Sequence, residues 1–109
     1  MKEESISRIL RTLPREKAFY FFTSIGNYTG ESAASLKEFM GKISEANLKS
    51  LEFHLYRGDF EKWIAETLED GELATEIGNL RSQNYSGTVL KEHLYNMLTK
   101  HYEKLISKF

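Results

Sequence analysis

From Thr88 onward the apolar residues fall at Leu90, Leu94, Met97, Leu98, Tyr102 and Leu105, the spacing of one face of a single long amphipathic helix. An apolar stripe of that length has to be covered, so the remaining chain must supply elements that lie against it. Lys100, Lys104 and Lys108 gather toward the end of this segment, where the helix dipole favours cations.

The same periodicity recurs upstream. Ile6, Ile9, Leu10 and Leu13 predict a first helix over roughly Glu3 to Thr12. Pro14, the one proline, disfavours helix at Leu13 but suits the first turn of a new one, so a second helix is expected from about Pro14 to Ile25. That segment contains Phe19-Tyr20-Phe21-Phe22, which is also strand-like. No second convincing strand is visible to pair with it, and an unpaired strand leaves its backbone unsatisfied, so helix is the expectation. Gly26-Asn27-Tyr28-Thr29-Gly30 reads as a loop. Thr29 or Ser32 then caps a helix whose stripe is Leu36, Phe39, Met40 and Ile43, ending near Ala46 or Asn47.

Leu48 to Leu68 carries two apolar faces, with Leu48, Leu51 and Leu55 on one. Phe53, Tyr56, Phe60, Trp63, Ile64 and Thr67 lie roughly opposite. A break at Gly58, with Asp59 capping a new helix, lets both faces meet one core and is preferred to an unbroken helix. Asp70-Gly71 reads as a cap and turn before a helix bearing Leu73, Ala74, Ile77 and Leu80, and Asn84-Tyr85-Ser86-Gly87 as a loop. The expected fold is all-α, a compact bundle of about five or six helices, with residues 1–109 forming one domain.

Composition narrows the function classes. Hydrophobic residues make up 40% and charged residues 28%, which is globular rather than disordered. Cysteine is absent, which excludes disulfides, thiolate metal sites and a Cys nucleophile. The charged start Met1-Lys2-Glu3-Glu4 is unlike a signal peptide, and no apolar run is long enough for a membrane span, so a soluble, cytoplasmic protein is expected. A formal net charge of −1 gives no field to draw in nucleic acid. Acidic residues crowd between Asp59 and Glu76, against Lys62 alone, which also argues against a recognition helix there. The glycines of 26–30 match neither a Walker loop nor a dinucleotide fingerprint, although a helix starting after Thr29 would offer amides to an anion. No cofactor is expected.

One constellation could carry chemistry. His54, Arg57 and Asp59 bring an imidazole, a guanidinium and a carboxylate together, with Trp63 close behind. His54 and Arg57 are helical neighbours able to hold a phosphate or carboxylate. Equally, Asp59 can serve as a cap, Arg57 can pair with Asp59 or Glu61, and His54 can fill a half-buried site bonded to backbone. No nucleophile or second base lies nearby in sequence, so catalytic residues are not assigned. His54, His93 and His101 lack close ligand spacing, and His93 and His101 read as exposed helical residues, so no metal site is expected.

The run Ser50-Leu51-Glu52-Phe53-His54-Leu55-Tyr56-Arg57-Gly58-Asp59-Phe60-Glu61-Lys62-Trp63-Ile64, followed by Asp70-Gly71-Glu72-Leu73-Ala74, resembles an uncharacterised small domain of unknown function found in archaea and some bacteria. Thr29-Gly30, Ser35-Leu36 and Glu38-Phe39 are similar too, and the likeness covers about Ala18 to Ile77. It implies a helical domain and brings no established activity or catalytic residue. By subtraction, the expected role is that of a regulatory or adaptor module. It would bind another protein or a second copy of itself, with Tyr28, Tyr85 and Tyr95 as candidate anchors. The alternative is a small-molecule or anion sensor, or an enzyme, using His54, Arg57 and Asp59.

Overall fold

The long C-terminal pattern forms the helix Gly87–Ile106, which buries Leu90, Leu94, Leu98, His101 and Leu105. The computed structural model describes residues 3–108, so Met1, Lys2 and Phe109 lie outside the described residues. In chain order these comprise α1 (Glu3–Leu10), a short 3-10 turn (Arg15–Lys17), β1 (Phe19–Ser24), β2 (Asn27–Ala33), α2 (Leu36–Glu45), α3 (Leu48–Arg57), α4 (Asp59–Glu66), α5 (Gly71–Arg81) and α6 (Gly87–Ile106). Helices α2, α3 and α5 pack on α6, α4 packs on α5, and the two strands lie against α2 and α3.

The structure is mostly helical but not all-α. The segment expected to be a helix from Pro14 to Ile25 is instead a 3-10 turn followed by a strand, and β1 pairs antiparallel with β2. The aromatic run follows the period of two: Phe19 and Phe21 are buried while Tyr20 between them is exposed. Its partner is the stretch expected to be a loop. The connection is only Ile25-Gly26, with Gly26 at φ 79°, a left-handed turn conformation that glycine adopts without steric cost. A hairpin alone is marginal in water. This one is held because β1 lays Phe19 against Phe39, Phe60 and Trp63, with ring centroids 5.2–5.7 Å apart.

Helix α2 begins later than expected, so neither Thr29 nor Ser32 caps it. Ser35 accepts the Glu38 amide at 3.2 Å, and the Glu38 carboxylate reaches back to the Ala34 amide at 2.9 Å. The break between α3 and α4 falls at Gly58, as expected. Asp59, however, makes no capping bond; it is the first residue of α4, and its carboxylate turns to His54.

Gly58 adopts φ 80° and donates its amide to the last carbonyls of α3. A Cβ there would meet nothing within 4 Å, so the cost of a side chain is conformational alone. Gly58→Ala is therefore expected to lower unfolding free energy by about 1 kcal/mol. An unshifted urea midpoint would show that the corner tolerates another conformation.

Candidate functional site

The corner at Gly58 sets His54 of α3 beside Asp59 of α4, and β1 closes over both. His54 is only 4% exposed. Its Nε2 accepts the backbone N–H of Phe22 at 2.8 Å, and its Nδ1 stands 2.8 Å from Asp59 Oδ2. An amide can only donate, so Nε2 carries the lone pair and Nδ1–H donates to the carboxylate. Phe19, Phe53 and Phe60 surround the ring at centroid distances of 4.8, 5.0 and 5.6 Å. Burial pushes the imidazole pKa down, the Asp59 hydrogen bond and charge oppose it, and Arg57 lowers it slightly further; the balance is below the ordinary value. His54 is thus a neutral connector between hairpin and helices, with both nitrogens committed.

Arg57 differs. About half of its side chain is exposed, and its guanidinium carbon lies 4.7 Å from the Phe53 ring centroid. Its Nε stands 3.6 Å from the Asp59 oxygen that His54 also uses. Most of its donors remain open to a ligand. Trp63 is largely buried, and its indole N–H donates to the Lys17 carbonyl at 2.9 Å.

All four residues line one open groove of about 550 Å³. Phe22, Ile25 and Tyr20 of the hairpin form one wall, with Phe53 of α3 and Lys62 and Glu66 of α4 opposite. Ile25, at the hairpin turn, is 86% exposed. The hairpin wall was absent from the sequence reading, because the run that builds it was expected to be helical. The strand-favouring run Phe19-Tyr20-Phe21-Phe22, closed by the turn residues Gly26 and Asn27, was the signal that could have revealed it.

The other sequence candidates fall elsewhere. Gly26 to Gly30 belong to the hairpin, so no helix starts after Thr29 to present amides to an anion. Tyr28 and Tyr95 are partly exposed, while Tyr85 is half-buried and stacked on His93 at 4.2 Å. His93 is exposed, as expected, but His101 is not: it is 3% exposed and bonds to buried Asp70. The i,i+7 periodicity put His101 near the stripe of Leu94, Leu98 and Leu105, which is where α6 buries it.

Residues 14–107 match a family of unknown function, DUF5752, and the chain belongs to that family. No curated protein and no solved structure matches it.

Proposed function

We propose that this member of the family is a regulatory or adaptor module that holds a segment of another protein in the groove between the hairpin and the α3–α4 corner. The observation that supports this most is the mixture at the rim. Exposed Ile25 and half-buried Phe22 and Phe53 stand beside the open cations Arg57 and Lys62. Lys62 makes no ion pair among the described residues. Such a surface suits a segment with an apolar side chain next to a carboxylate or phosphate. Arg57 would supply paired donors and the aromatic wall the contact area. The hairpin is tied to the helices by the Phe22–His54 bond and by Phe19 packed on Trp63, which limits the ordering cost of binding.

The alternative, a small-molecule or anion sensor built on His54, Arg57 and Asp59, has less support. Engaging His54 with a ligand would break its bond to the Phe22 amide or to Asp59. Only Arg57 of the trio has donors to spare. No helix among the described residues is long and apolar enough to cross a membrane, and the setting proposed for the partner is the cytoplasm.

The test is capture from cell lysate with wild type, Ile25→Asp and Arg57→Glu, each first checked for an unchanged melting temperature. A protein held by wild type and lost at least tenfold from both variants is expected, a loss of about 1.4 kcal/mol or more. Trp63 is the one tryptophan in the chain, so its fluorescence reports the groove directly. A lysate metabolite that moves this signal while no protein depends on Ile25 would favour the sensor instead.

A further inference from the structure

The α5–α6 interface contains a polar cluster that the groove does not use. Asp70 has a fully buried side chain with both oxygens engaged. Oδ1 accepts the Leu73 amide at 3.0 Å as the cap of α5, and Oδ2 lies 2.6 Å from His101 Nε2. Oδ1 takes the Leu73 amide and Oδ2 takes the Nε2–H of His101, so Nε2 is committed and Nδ1 points away from Asp70.

Nδ1 faces a second carboxylate. Glu76 Oε2 lies 3.4 Å away, is buried, and has no hydrogen-bond partner. Glu72, one turn earlier on α5, completes the set: ligand atoms of Glu72, Glu76 and His101 all lie within 4.8 Å of one another. Glu76 Oε2 is thus buried without a hydrogen-bond partner, facing His101 Nδ1, in an interface where polar atoms are normally satisfied. The 3.4 Å separation fits two ligands of one metal ion, since tetrahedral bonds of about 2.1 Å place neighbouring ligand atoms about 3.4 Å apart.

We propose that His101 Nδ1, Glu76 and Glu72 bind one divalent cation of the zinc type across α5 and α6. Asp70 then plays the part that a carboxylate plays behind many metal-binding histidines, fixing the tautomer and aiming the ring. Glu72 exchanges its present partner, the Lys104 ammonium, for the cation. One imidazole and two carboxylates suit a borderline cation better than calcium or magnesium, which prefer all-oxygen sets. Three protein ligands leave at least one coordination position for water or another ligand.

Chelator-treated protein titrated with zinc chloride, followed by calorimetry and thermal shift, tests this. The expected result is saturation near one zinc per chain with a rise in melting temperature. Glu76→Gln, which leaves the buried Asp70–His101 bond intact, should weaken uptake by at least about tenfold. Glu66→Gln, on the groove wall, should not. Nitrogen NMR of the histidine rings gives a second readout, in which zinc shifts His101 Nδ1 and leaves His54 in place. No uptake, uptake equal in wild type and Glu76→Gln, or a shift confined to exposed His93 would each overturn the proposal.

Discussion

Replacing His54 with alanine is expected to lower the unfolding free energy by about 3–4 kcal/mol, to be read from urea denaturation. Truncation leaves a cavity among Phe19, Phe53 and Phe60, and core cavities of this kind cost roughly 2–5 kcal/mol. It also strips the Phe22 amide of its acceptor and Asp59 of its donor, and an orphaned buried amide costs about 1–3 kcal/mol. The terms overlap because water enters the cavity, so the sum falls short of their total. His54→Gln can still offer an oxygen to Phe22 and should lose less. A loss under about 0.5 kcal/mol for the alanine variant would show that the hairpin does not depend on His54.

The same residue makes a pH prediction. Folding favours the neutral ring, so the unfolded chain binds more protons wherever the two states differ. Stability from this source is complete above the unfolded value of about 6.5 and declines as pH falls from there through the depressed folded value. Asp59 and Arg57 are the charged groups bearing on the ring, and their opposing effects are already in that balance. Because glutamine does not titrate, His54→Gln should remove this part of the acid-side slope.

How much of this was legible in the sequence depends on where each residue's partner lies. Helix α6, the stripe of α2, the break at Gly58 and the Asp70 cap all rest on neighbours within a few positions, and the structure reproduces them. The hairpin was missed for a physical reason. β2 buries only Ala33 at its far end, so it carries no alternating apolar signal, and β1 looked like a strand without a mate. The missed strand then concealed the groove. The trio of His54, Arg57 and Asp59 was found by proximity along the chain, and the structure does bring it together. What proximity could not show is that Phe22, thirty-two residues away, occupies the second nitrogen. The Asp70–His101 bond spans a similar distance, 31 residues, and local pattern was equally silent about it.

That bond underlies the second large effect. Asp70→Ala is expected to cost about 2–4 kcal/mol, the loss of a helix cap together with a buried donor left without its acceptor. The loss has two separable parts. One is the cap of α5, worth about 1 kcal/mol, visible as faster hydrogen exchange at the Leu73 amide. The other is a buried imidazole left without its acceptor, which loosens α6 from α5. Asp70→Asn separates them. Its carbonyl can still cap α5 while its amide faces His101, and two donors cannot share a bond. The ring must then switch tautomer, Nε2 accepting from the amide and Nδ1–H turning to Glu76. Asp70→Asn should therefore keep the Leu73 protection and lose only about 1–2 kcal/mol. It should also lose zinc uptake, because Nδ1 now carries a proton. An asparagine variant as unstable as the alanine one would mean that the charge of Asp70, rather than its pair of hydrogen bonds, holds the two helices together.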